Sequence, residues 1–147
     1  MKFSVKSEYA VSAVLDIALN ADKGPVHVKS IAKRQSIPMR FLEQVMASLK
    51  KAGIVDSIRG SQGGYVLSRI PAMINIAQII EAIEGPITLG DNANGISEKT
   101  SYQTNAGVIK EVWEDVKKAV TDTLNKVSIE DMCRKKRERE VTVMYHI

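Results

Sequence analysis

Two short runs of alternating apolar residues flank a glycine-rich tip in Ile54-Val55-Asp56-Ser57-Ile58-Arg59-Gly60-Ser61-Gln62-Gly63-Gly64-Tyr65-Val66-Leu67. Val55 and Ser57 alternate with period two, as do Tyr65 and Leu67, while Gly60, Gly63 and Gly64 admit the positive φ that a tight reversal needs. The segment therefore predicts a β-ribbon carrying an arginine at its tip. Taken alone, it fits an ordinary surface hairpin as well as a ribbon laid against a phosphate backbone. The helices on its N-terminal side bear on the choice.

Val11, Val14, Leu15, Ala18 and Leu19 recur on one helical face and predict a first helix from about Ser4 to Asn20, which Gly24-Pro25 separates from the next segment. A short second helix spans Val28 to Gln35, with Ile31 and Ala32 inward and Lys29, Lys33 and Arg34 outward. Ser36-Ile37-Pro38 is a tight connection, and Pro38 suits a first helical position because its missing N–H has no partner to lose there. The third helix buries Leu42, Val45, Met46 and Leu49, and Gly53 stands where a left-handed C-terminal cap belongs. Its opposite face shows Arg40, Glu43, Gln44, Ala47 and Lys51. Beyond the ribbon, Ile76, Ile79, Ile80 and Ile83 define a fourth helix that ends at Gly85-Pro86.

Gly90 to Gly107 is rich in Asn, Gly, Ser and Thr and reads as a long loop. Val108, Val112, Val116, Val120 and Leu124 then recur every four residues, widened by Ile109 and Trp113, over a helix of about five turns. A stripe of that length needs a partner, and a second copy of the chain is the simplest one; the other reading folds it back on its own domain. Ser128 is expected to cap one more turn through Met132. The run from Arg134 to Arg139 reads as a solvated segment, and Val141-Thr142-Val143-Met144-Tyr145 as a terminal strand. The expected fold class is α+β, mainly α. Its parts are a DNA-binding unit over 1–85, an effector or sensor loop over 86–107, and a dimerisation helix with tail over 108–147.

Two helices joined by a tight turn and followed by a ribbon make a winged helix-turn-helix, whose second helix fits the major groove. Arg40 and Gln44 lie one turn apart on the outward face; Arg suits guanine O6 and N7, and Gln suits adenine N6 and N7. Glu43 suits a cytosine amino group or repels phosphate, and Phe41 is counted with the same face. Lys29, Lys33, Lys50 and Lys51 are placed to neutralise phosphates, which positions a protein without specifying sequence. Ser57, Arg59, Gly60, Ser61 and Gly63 form the wing, whose arginine gains from the negative potential of a narrow minor groove. Each residue alone reads equally as a solvated side chain; it is their joint placement on one basic face that favours DNA. Charge agrees, since residues 1–70 hold eleven Lys or Arg against five Asp or Glu, whereas 71–147 hold ten against twelve.

Met1 to Ala10, Ser30-Ile31-Ala32-Lys33-Arg34-Gln35, Phe41-Leu42-Glu43-Gln44, Leu49 to Val55 and Ser57-Ile58-Arg59-Gly60 through Gly63-Gly64-Tyr65 resemble the Rrf-two family of bacterial winged helix-turn-helix regulators, which includes IscR, CymR and NsrR. Glu84-Gly85-Pro86-Ile87, Trp113, Ser128 to Met132 and the tyrosine-containing tail extend the resemblance over nearly the whole chain. It implies a homodimer with crossed long helices that binds palindromic DNA through the third helix and wing. It also implies regulation, most often repression, of iron–sulphur, cysteine or stress genes.

Family members that sense through an iron–sulphur cluster carry three cysteines in the loop before the long helix. This chain has a single cysteine, Cys133, and no Cys or His between Gly90 and Gly107. Thiolates hold such clusters, so neither a cluster nor another metal site is expected. Two explanations stay open: a member that senses a small molecule or partner protein, or a cluster-sensing member whose ligand cysteines were replaced, with Ala93 and Ala106 as the positions concerned. Glu8 matches an acidic cluster ligand of some relatives, but without cysteines it reads as a surface charge. No nucleophile–base pair, phosphate-cradling glycine motif or paired carboxylates argue for an enzyme. The lone cysteine excludes an intrachain disulfide framework; without an apolar run long enough for a bilayer or a targeting leader, a cytoplasmic protein with no membrane partner is expected. A winged-helix module that holds another protein, without specific DNA binding, is the alternative class.

Overall fold

The computed structural model describes residues 3–87 and 104–146, so most of the predicted 86–107 loop lies outside the described residues. Helix α1 (Val5–Leu19) starts at Ser4, whose hydroxyl accepts from the Ser7 amide. Its innermost face is Ala10, Ala13, Val14 and Ile17, with Val11, Leu15, Ala18 and Leu19 half-buried beside it. The predicted stripe is therefore rotated toward the small residues, which let α1 run through the middle of the fold. At the far end of the domain, the carboxylate of Glu84 accepts from the Ser4 amide at 2.6 Å.

Helices α2 (Val28–Gln35) and α3 (Met39–Lys51) enclose a three-residue turn. Ser36 takes the left-handed conformation at φ 54°, and the Ile37 amide reaches back to the Ala32 carbonyl at 3.1 Å. Pro38 is the cap of α3 rather than its first helical residue: at ψ 131° it is extended, and its carbonyl accepts from the amides of Phe41 and Leu42. The α3 end is a Schellman motif, with Gly53 at φ 75° donating to the Lys50 carbonyl and Ile54 donating to Leu49. That reversal feeds the chain into the ribbon.

Strands β1 (Val55–Ile58) and β2 (Gly64–Leu67) pair antiparallel in the register Val55 to Leu67 and Ser57 to Tyr65. A third segment joins them, since the Val26 and Tyr65 backbones exchange bonds at 2.9 and 2.8 Å. This pairing explains Gly64, and the turn itself explains Gly63. A Cβ on Gly64 would sit 2.6 Å from the Val26 carbonyl oxygen, and one on Gly63 would collide with the Ile58 carbonyl oxygen. Gly60 and Gly64 use positive φ as expected, but Gly63 does not; it is a glycine because it is buried against the turn.

Helix α4 (Ile76–Glu84), long helix α5 (Ala106–Lys126) and α6 (Ile129–Tyr145) complete the order among the described residues. Asn75 and Ser128 each open a helix with a reciprocal capping box, and an antiparallel bridge sets the two side by side. The Ile76 amide donates to Val127 at 3.0 Å, and the Ile129 amide to Ile74 at 2.8 Å. Two expectations are corrected at this joint. Ser128 caps a helix of 17 residues rather than one turn, and the Val141 to Tyr145 segment continues that helix instead of forming a strand. Val141 and Val143 favour strand locally, but a strand needs a neighbour, and among the described residues none lies beside them to pair with, so they continue the helix opened at Ser128. Ile129 and Cys133 anchor α6 in the same core as α1 and α4.

Candidate nucleic-acid interface

The amphipathic pattern of α3 turns Leu42, Val45, Met46 and Leu49 into the core and leaves Arg40, Glu43, Gln44, Lys50 and Lys51 exposed. Lys29 and Lys33 of α2 are exposed as well. Across from α3, Ser57, Arg59, Gly60 and Ser61 are exposed along the ribbon, while Gly63 is buried beneath it. A direct link joins helix to ribbon: Lys50 Nζ donates to Ser57 Oγ at 2.7 Å. Helix and ribbon are thus held as one surface, with one lysine and one serine engaged in holding it.

Phe41 differs from its neighbours. It is half-buried, its ring centroid lies 6.3 Å from that of Tyr9 on α1, and the Arg40 guanidinium sits 4.6 Å above it. Helical spacing singles out neither Tyr9 nor Lys6, whose ammonium is 6.0 Å from the same ring. The one available signal is that α1 carries an aromatic residue and a lysine off its apolar face.

Arg34 is exposed, as its outward placement predicts, and it is also engaged in an ion pair that spacing does not reveal. Its Nε and Nη2 donate to the two carboxylate oxygens of Asp16 at 2.9 and 2.7 Å, and Gln35 Nε2 adds a third bond at 2.8 Å. Asp16 is 1% exposed. Burial alone would raise its pKa, but the hydrogen bonds from Arg34 and Gln35, with the charges of Arg34 and Lys136, hold it below the ordinary carboxylate range. A carboxylate inside an apolar helix face is the signal for this network; its partner, 18 residues away, is not foreseeable from spacing.

The long-helix stripe divides in two. Leu124 packs against the core and Val120 is half-buried, whereas Val108, Ile109, Val112, Trp113 and Val116 are 38–66% exposed. Folding back accounts for one end of the stripe and leaves five large apolar side chains in solvent. No described helix is long and apolar enough to cross a membrane.

A three-thiolate cluster does not fit the donor set of this chain. The single thiol, Cys133, is buried in the core, and burial pushes its pKa up, which favours the protonated form that binds metal poorly. Among the described residues, no three His, Cys, Asp or Glu side chains gather in a manner suited to a metal ion.

Residues 3–135 match the family described as "Rrf2: Iron-dependent Transcriptional regulator". The chain is 34% identical over 136 residues to the HTH-type transcriptional regulator IscR of Xenorhabdus nematophila, spanning 91% of this chain and 80% of that one. Among solved structures, IscR of T. potens is 39% identical with a TM-score of 0.76, covering 95% of this chain and 90% of that one. CymR, the global cysteine regulator of B. subtilis, is 31% identical with a TM-score of 0.78, covering 92% and 98%. Helix pair, ribbon and long helix match these relatives together, and they are transcriptional regulators rather than enzymes. The chain belongs to the Rrf2 family of winged helix-turn-helix transcriptional regulators.

Proposed function

We propose that the protein is a homodimeric, sequence-specific DNA-binding repressor of iron–sulphur, cysteine or stress genes, acting in the cytoplasm. In this reading the 1–85 unit binds duplex DNA. Helix α3 enters the major groove with Arg40, Glu43 and Gln44 at base edges, and Arg59 enters the adjacent minor groove from the wing. Lys29, Lys33 and Lys51 face phosphates. The observation that carries the reading is the Lys50 to Ser57 bond, which links helix and wing into one surface of basic and polar groups. The five exposed apolar residues of α5 support the dimer, because an unpartnered stripe of that size is covered most simply by its own two-fold copy.

The signal reaches the dimer without an iron–sulphur cluster, through a small molecule or a partner protein acting at the 86–107 segment. Selection of bound duplexes from random DNA tests the function directly: a palindromic consensus with two half-sites is expected, with affinity falling steeply as salt rises. Salt-independent binding with no preferred duplex would instead indicate a protein-interaction module. Anaerobic reconstitution with iron and sulfide is expected to give no visible charge-transfer band; such a band would overturn the cluster-free reading.

A further inference from the structure

We propose that Phe41 is a positioning residue that holds Arg40 ready to read a guanine, so that the pair sets one position of the recognised sequence. The inference rests on the DNA-binding reading of α3 and assigns Phe41 a part different from contact with DNA.

Arg40 is exposed, and its guanidinium carbon is 4.6 Å from the Phe41 ring centroid. A carboxylate partner would take up the in-plane N–H donors of the guanidinium, as Asp16 does with Arg34. An aromatic ring attracts the guanidinium through its π face without supplying a carboxylate, so it leaves N–H donors for another acceptor. Among the described residues, Arg40 has no ion pair. The ring is itself held: Phe41 is half-buried, and Tyr9 of α1 lies against it with centroids 6.3 Å apart and planes tilted by 36°. Lys6 brings a second cation to 6.0 Å from the same ring. The result is a restrained arginine with unspent donors in the first turn of the helix that faces DNA, the arrangement a bidentate bond to guanine O6 and N7 requires.

The same selection, run on variants, tests this. Arg40→Ala is expected to abolish a guanine preference at one position of each half-site, by about 5- to 150-fold. Phe41→Leu is expected to reduce the preference at that same position by about 2- to 5-fold and to change no other. Phe41→Tyr, which keeps the ring, should restore it, and Phe41→Leu should add nothing once Arg40 is Ala. Unchanged preference at that position in Phe41→Leu overturns the proposal. So does uniform weakening in Arg40→Ala with a salt slope smaller by about 1, which would place Arg40 on phosphate. Side-chain ¹⁵N relaxation of Arg40 in the free wild-type protein provides a readout that depends neither on DNA nor on how the variants fold. A restrained, ring-shifted Nε–H supports the stack, and a freely mobile one overturns it. If the wild type selects no DNA while Arg40 is restrained, the functional reading fails and the stack survives.

Discussion

Arg34 grips the buried carboxylate of Asp16 with two hydrogen bonds, although the Arg34 side chain itself is 42% exposed. The pair ties the central helix to the helix-turn-helix, and its two members differ in what their loss would leave behind. Arg34→Ala strands a buried carboxylate with only Gln35 as a neutral donor, whereas Asp16→Ala leaves a guanidinium that water can reach. Arg34→Ala is therefore expected to cost more, roughly 2–4 kcal/mol against about 1–2 kcal/mol, by urea denaturation. Equal costs would show that the carboxylate hydrates freely.

The same pair gives a pH dependence. Asp16 is held below its unfolded pKa, so its contribution is complete above about pH 5 and fades as the pH falls through the folded value. Asp16→Asn is expected to flatten the acid limb of the stability profile, measured by thermal unfolding between about pH 2 and pH 5.

The wing glycines should rank by their surroundings. Gly64→Ala drives a Cβ against the Val26 carbonyl and is expected to disrupt the ribbon, with DNA affinity lost. Gly60→Ala meets open space and carries only the strain of φ 110°, about 1–2 kcal/mol. Circular dichroism and binding assays on the two variants check the order; a Gly60 variant worse than Gly64 would contradict it.

Val116→Asp places a charge in the exposed α5 stripe, away from the core. Sedimentation equilibrium at micromolar concentration is expected to show a dimer for the wild type and a monomer for the variant, with α-helical content retained.

Cys133 is expected to resist alkylation in the native state and to react at the ordinary thiol rate in denaturant, since it is 4% exposed and burial favours its protonated form. Fast native labelling would mean that the start of α6 is not packed as described.

The parts of this fold that are legible in the sequence are those whose signals are local. The faces of α3 and α4, the left-handed Gly53 and the ribbon follow from spacing and turn chemistry within a dozen residues. What spacing does not reveal is set by distant partners. Val26 is a third ribbon segment only because Tyr65 lies beside it, and Asp16 finds Arg34 across the interior. In α6 the valines near the end favour strand by their own preference, yet they lie in a helix that opens thirteen residues before Val141 and has no strand beside it among the described residues. Phe41 is counted with the reading face, but its half-buried ring lies against Tyr9, which no pattern within α3 reveals.

The bridge between Asn75 and Ser128 fixes where α5 leaves the core, so any change of angle there is multiplied along the helix. The helix leaves that point and runs 21 residues, about 32 Å, to its far end near Val108. Tilting it by about 5° would carry that end about 3 Å, comparable to the rise of one base pair. In the proposed dimer, the distance between two reading heads would then be tuned by the angle at this joint. Substitutions at Asn75, Val127 or Ser128 would select operators of different half-site spacing without altering any group that meets DNA.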